Sequence, residues 1–201
     1  MVFLDSPNNP TGLTVGHSDL RRILDVTPGL MLVDEAYGEF SAAPSAIGLL
    51  DRYPTKLVVT RTMSKAFGIA GVRTGYLVAA PAVVDAMALV CLPYHLSTLT
   101  QATAIAVLRH YTGRDRADLA IVAAERERVS NALRAQGFDV VPSDANFILF
   151  GRFTDSALAW QRLLDMGVQV RDVGVAHYLR ATIGLPHNND ALLRAAESLR
   201  D

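Results

Sequence analysis

At 201 residues, half of them hydrophobic, the chain is long enough for one large domain, or one and a half small ones, around a buried core. A net charge of −1 gives no reason to expect nucleic acid or an anionic membrane as partner. No apolar run approaches the ~18 residues that span a bilayer, and no basic region precedes a signal-type apolar stretch at the N-terminus. One cysteine, Cys91, excludes an internal disulfide framework and a cysteine zinc cluster, so composition points to a soluble, cytoplasmic protein.

The first element is an apolar strand, "MVFLD", that runs directly into the turn "SPNNPTG". His17 to Val26 reads as an amphipathic helix, with Leu20, Ile23 and Leu24 on one face. Three short apolar runs follow: "LMLVDEAY", "KLVVTRT" and "GYLVAA". Continuous apolar strands separated by helical stretches predict a largely parallel sheet covered on both faces. Ligands of such sheets sit outside the carboxyl ends of the strands. The chemistry-bearing residues fall there: Asn9 after the first strand, Asp34 and Tyr37 after the second, Thr62 to Lys65 after the third.

Beyond Pro81 the pattern turns helical. Ala82 to Cys91 is one predicted helix, and "PYH" breaks it. A long pattern runs from Ser97 to about Gln136, interrupted near Thr112 and Gly113, with Gly137 as its C-cap. Short strands are then expected at Phe138 to Val141, Asn146 to Phe150, Val168 to Val170 and Leu179 to Ile183. Helices at Thr154 to Met166 and Asn189 to Leu199 alternate with them. The fold class is therefore α/β, with part of a larger mostly parallel domain over residues 1–112 and a small α+β domain over 113–201.

Taken singly, each candidate residue has an ordinary explanation. A lysine after a strand is usually a solvated loop residue, "NNPTG" is most often a turn, and Asp34 could cap a helix. Arg171 and Arg180 could be surface ion-pair residues. The five histidines, His17, His95, His110, His177 and His187, have no metal-ligand spacing, and no metal is expected. What sets the chemical reading apart is co-occurrence, in this order, at successive strand ends. A lysine can condense with a carbonyl, two hydroxyls and a guanidinium can hold a phosphate, and a carboxylate can keep a ring nitrogen protonated.

The segments "SPNNPTG", "VDEAYGEF" and "TRTMSKAFGIAGVRTGY" resemble the successive signatures of the fold-type I, class I/II aminotransferases. "YLRATIG" resembles that family's C-terminal carboxylate-binding segment. "VRDVG", "YLRATIG" and "LPYHLSTLTQATA" are together most similar to histidinol-phosphate aminotransferases. The resemblance implies pyridoxal 5′-phosphate as cofactor, condensed with Lys65. It implies Asp34 against the pyridine nitrogen, Asn9 and Tyr37 on the phenolic oxygen, and Thr62, Ser64 and Arg73 on the cofactor phosphate. Arg180 would take the substrate α-carboxylate and Arg171 the substrate's own phosphate.

The implied reaction moves an amino group between histidinol phosphate and a 2-oxo acid, 2-oxoglutarate, in histidine biosynthesis. Aromatic amino acid transamination and threonine-phosphate decarboxylation share this site and stand as alternatives. Relatives carry a long segment ahead of the "NNPTG" strand, so the chain resembles the C-terminal part of such an enzyme. A homodimer or a complementing N-terminal half is the expected partner, and a non-catalytic remnant or association module is the alternative of another class.

Overall fold

The computed structural model describes residues 1–111 and 116–199. The described residues cluster into two compact units. One comprises Met1–Pro7 and Thr14–Arg116, the other Asn8–Leu13 and Ala117–Asp201. The boundary expected between residues 112 and 113, and the helix interruption expected at the same place, lie outside the described residues.

In the first unit four strands form one sheet in chain order: β1 (Val2–Asp5), β2 (Met31–Asp34), β3 (Leu57–Thr62) and β4 (Gly75–Ala79). β1 pairs with β2 and β2 with β3 in parallel. The first crossover is α1 (His17–Val26), the helix expected from its apolar spacing. Its Leu20 and Leu24 are buried with Met31, Val33, Leu57 and Val59 on one face of the sheet. Thr27 ends the helix: its N–H and its hydroxyl both donate to the Ile23 carbonyl.

β4 departs from the parallel expectation and pairs with β3 antiparallel, Thr62 opposite Gly75. The reason is local. The β3–β4 connection holds only a 3-10 turn at Ala70–Val72, with no helix to carry the chain back across the sheet. Glycine is required at position 75, where a Cβ would lie 2.5 Å from the Arg61 carbonyl oxygen. Two helices complete the unit, α2 (Pro81–Val90) and α3 (Thr98–Tyr111), and neither has a buried residue. On the sheet face away from α1, Phe3 and Leu77 are exposed while Val58 is buried, so that face is covered only in part.

The second unit packs α4 (Ala117–Ala135), α5 (Ser156–Asp165) and α6 (Pro186–Glu197) with an antiparallel sheet. Its strands are β5 (Asp139–Val140), β6 (Phe147–Gly151) and β7 (Tyr178–Thr182), in that order. Every residue of β6 is buried. Leu133, Ile148, Phe150, Leu163, Leu179 and Ala196 form a closed core with edge-on contacts among Phe138, Phe150 and Phe153. Gly137 ends α4 at φ 96°, as the C-cap reading expects. Asp155 caps α5, its carboxylate accepting from the Ala157 and Leu158 amides.

The strand expected at Val168 to Val170 does not form. The Val170 carbonyl instead accepts from the Trp160 indole at 3.0 Å, and pairing begins only at Arg171. Among the described residues no helix is long and apolar enough to cross a membrane.

Candidate active site

In the first unit the carboxyl ends of β2 and β3 present the candidate residues. Asp34 is the last residue of β2, and its Oδ1 accepts the Ala36 amide at 3.0 Å, which turns the chain sharply out of the sheet. Tyr37 follows in that turn and is buried. Across the strand ends, the Lys65 ammonium lies 5.5 Å from the centroid of the Tyr37 ring. Thr62 closes β3, and its Oγ1 accepts the Ser64 amide at 3.1 Å, starting the turn that carries Lys65. The Lys65 carbonyl then accepts from Gly68 at 3.0 Å, and Gly68 sits at φ 70°.

Arg73 is exposed, has left-handed backbone geometry at φ 55°, and donates to the Ala70 carbonyl at 3.0 Å. A bulky side chain in that conformation is uncommon and marks a position where backbone shape is dictated by surroundings. The structure thus brings Asp34, Tyr37, Thr62, Ser64 and Lys65 to one end of the first unit's sheet, with Arg73 on the loop between β3 and β4.

The second unit gathers the other three residues. Arg180 lies on β7, and its Nη1 donates to the Asn9 side-chain carbonyl at 2.5 Å. Its guanidinium stacks over the Phe147 ring at 4.8 Å, and its Nε is buried without a hydrogen-bond partner. Arg171 and Arg180 exchange both backbone hydrogen bonds, at 2.9 and 2.8 Å. Directly opposed residues of an antiparallel pair project to the same face, so both arginines belong to one face. The Asn8–Leu13 turn is held to this unit by the Asp144 amide, which donates to the Gly12 carbonyl at 2.8 Å. Gly12, at φ 80°, packs against Ser143 with no room for a side chain.

Several residues that shape these sites do not emerge from the sequence reading. Arg61 on β3 is ion-paired with Glu35 at 2.6 Å and Glu39 at 3.0 Å, with all three side chains nearly buried. Burial opposes the Arg61 charge, and hydrogen bonds to Glu39 and Glu35 outweigh it, so its pKa is raised. Tyr76, opposite Arg61 on β4, is also raised, by burial and by the Glu39 charge. Arg116 lies 4.0 Å from the centroid of the Tyr111 ring and 5.1 Å from that of Phe67, and donates to the Ala66 carbonyl beside Lys65. The available signal was a charge inside an apolar run, as at Arg61 in "KLVVTRT".

A family model for aminotransferase class I and II matches residues 1–199. The chain belongs to the class I and II aminotransferases. Within this family it is 62% identical over 197 residues to the histidinol-phosphate aminotransferase of Mycobacterium marinum, covering 98% of this chain and 51% of that protein. It is 63% identical over 199 residues to the histidinol-phosphate aminotransferase of Nocardia farcinica, covering 99% of this chain and 51% of the relative. The chain therefore spans about half the length of the curated relatives it matches.

Among solved aminotransferases, the histidinol-phosphate aminotransferase of Sinorhizobium meliloti in complex with pyridoxal 5′-phosphate superposes with a TM-score of 0.84 at 28% identity. The match covers 98% of this chain and 56% of that one. The expected family and the α/β fold class are borne out.

Proposed function

We propose that this chain contributes the lysine-bearing and carboxylate-binding parts of a pyridoxal 5′-phosphate-dependent aminotransferase. The reaction transfers the amino group of histidinol phosphate to 2-oxoglutarate, giving imidazole acetol phosphate and glutamate. What supports this reading most is the coincidence of family membership with the grouping of Asp34, Tyr37, Thr62, Ser64 and Lys65 at one sheet end. A cytoplasmic location and a role in histidine biosynthesis are part of it.

The residues present fit the cofactor. Asp34 is an acceptor at a strand end, with one oxygen already orienting it through Ala36. Two hydroxyls and a guanidinium on one connection, Thr62, Ser64 and Arg73, are a donor set for a phosphate dianion. Pyridoxal 5′-phosphate, when bound, supplies the electron sink that stabilises the pair left as the substrate α-hydrogen departs.

The chain's own groups do the rest. The Asp34 carboxylate accepts the pyridine N–H and keeps that proton in place. Tyr37 and Asn9 donate to the phenolic oxygen. The Lys65 amine would anchor the cofactor and serve as the base for the proton at the substrate α-carbon. Arg180 receives the α-carboxylate as a two-pronged ion pair, its orientation preset by Phe147 and Asn9. Arg171 meets the substrate phosphate.

The partner reading is supported by exposed apolar side chains. Between residues 89 and 99, Leu89, Val90, Leu92, Tyr94 and Leu99 are all at least 75% exposed. Patches of this kind mark surfaces that are covered by another polypeptide, here a complementing half or a second copy.

Borohydride reduction of a complete enzyme, the chain assembled with its complementing half and pyridoxal 5′-phosphate, followed by peptide mapping, tests the assignment. The adduct should map to Lys65 and disappear in Lys65→Ala. Lys56, which donates to the Leu24 carbonyl at 3.0 Å, is the internal control, and an adduct there instead would refute the reading.

A further inference from the structure

The proposed function leaves Glu35, Arg61 and Glu39 without a role, although two carboxylates there are ion-paired with one nearly buried guanidinium. Alternation along β2 and β3 separates it from the candidate site. Asp34 is in register with Thr60 on one face of the sheet. Glu35 and Arg61, one residue further along each strand, project to the opposite face, the one filled by Met31, Val33, Leu57 and Val59. Arg61 Nε and Nη2 donate to Glu35 Oε2 at 3.0 and 2.6 Å, and Nη1 donates to Glu39 Oε1 at 3.0 Å. Glu35 also accepts from the Ser45 hydroxyl at 2.7 Å and the Ala46 amide at 2.6 Å.

This arrangement adds side-chain bonds at the point where backbone pairing of β2 and β3 ends, the Glu35 amide donating to the Thr60 carbonyl at 2.9 Å, and it extends them to the turns beyond. Asp34 immediately precedes Glu35. Tyr37 lies between Glu35 and Glu39. Thr62 immediately follows Arg61, and Lys65 is four residues beyond it. Gly38 fits against the cluster so closely that a Cβ there would lie 3.1 Å from Glu35 Cβ and 3.3 Å from the Arg61 guanidinium carbon. A buried ion pair is poor evidence for stability, because desolvation offsets most of its attraction. What its directional bonds supply is geometry: the planar fork holds both carboxylates at set angles.

We propose that Glu35, Arg61 and Glu39 are positioning residues that set, from the back of the sheet, the spacing between the Asp34–Tyr37 turn and the Thr62–Lys65 turn. They touch no ligand and act only through those turns. The inference rests on the proposed function, since positioning has meaning only if Lys65 and Asp34 serve one cofactor.

The test uses the chain assembled with its complementing half, unsubstituted and with Arg61→Met, Arg61→Lys and Glu39→Gln. The first readout needs no cofactor: amide hydrogen exchange at Ala36 and Ser64, whose N–H groups donate to Asp34 and Thr62. The second is the pyridoxal 5′-phosphate concentration that half-saturates borohydride-trapped adduct at Lys65. Arg61→Met and Glu39→Gln should speed exchange at Ala36 and Ser64 tenfold or more, while Leu24 and Leu163 amides stay as protected as in the parent. The half-saturating concentration should rise tenfold or more, and Arg61→Lys, which keeps charge but loses the fork, should fall between.

If Arg61→Met does not fold, the other two variants decide. Faster exchange with unchanged half-saturation would mean the cluster is merely structural and overturns the proposal. Unchanged exchange and half-saturation in folded Arg61→Lys and Glu39→Gln overturns it as well. No Lys65 adduct in the unsubstituted assembly overturns the proposed function, and positioning with it. An adduct there with indifferent variants overturns positioning alone.

Discussion

The two units differ in how completely they cover their own apolar surface. The second closes around β6, every residue of which is buried, and around a cluster of phenylalanines. The first has a well-packed face beneath α1, yet its α2 and α3 bury no residue and carry Leu89, Val90 and Leu99 outward. The difference teaches that folding and function are unequally distributed. The unit with Lys65 and Asp34 has the less complete cover, whereas the unit with Arg171 and Arg180 has its own closed core.

The sharpest way to test that contrast is to damage the closed core. Phe150→Ala removes a ring buried among Phe138 and Phe153 and should cost about 3–5 kcal/mol, read as a shift of the urea midpoint for the second unit's signal. A loss under about 1 kcal/mol would mean that the core is not closed.

Next in size is the pair of arginines. Losing one partner of a charge-assisted pair in a closed site costs about 2–5 kcal/mol. In an assembled enzyme, Arg180→Ala should therefore weaken every amino acid substrate, glutamate included, without loss of the second unit's fold. Arg171→Ala should weaken the phosphorylated substrate more than an unphosphorylated analogue. Equal losses on both substrates would assign Arg171 a structural role.

A substitution in the open region should do far less to folding. Leu89→Ser on α2 should change stability by about 0.5 kcal/mol or less, since the side chain is 87% exposed. It should reduce self-association or capture of a complementing half, measured by sedimentation. A large loss of stability would show that α2 is packed after all.

The smallest effect concerns acid. Hydrogen bonds from Arg128 and Asn189 hold the Glu125 carboxyl below its ordinary range. A depressed folded-state pKa contributes stability above the unfolded carboxylate range, and that contribution disappears as pH falls through the folded value. Glu125→Gln should flatten this part of the acid limb of the second unit's stability curve and leave the first unit's unchanged.

Much of this was legible in the chain alone. α1 forms over His17–Val26 because Leu20, Ile23 and Leu24 repeat at helical spacing, and that signal is local. The motifs around Asn9, Asp34 and Lys65 carried the resemblance to the family, because each is a short contiguous segment that follows an apolar strand. Local pattern also placed β6 and Gly137, where a fully apolar run and a helix stop need no distant partner.

What escaped the sequence depended on partners distant along the chain. The antiparallel return of β4 follows from a connection that lacks a crossover helix, and Val168 to Val170 fails as a strand because Trp160 takes the Val170 carbonyl. The Asn8–Leu13 turn groups with residues more than a hundred positions away, through Asp144 and Arg180. Arg61 reads in sequence as one charge in an apolar strand. Only the folded sheet sets it against Glu35 and Glu39, because which buried charges meet is decided by strand register and by the loops that close over it.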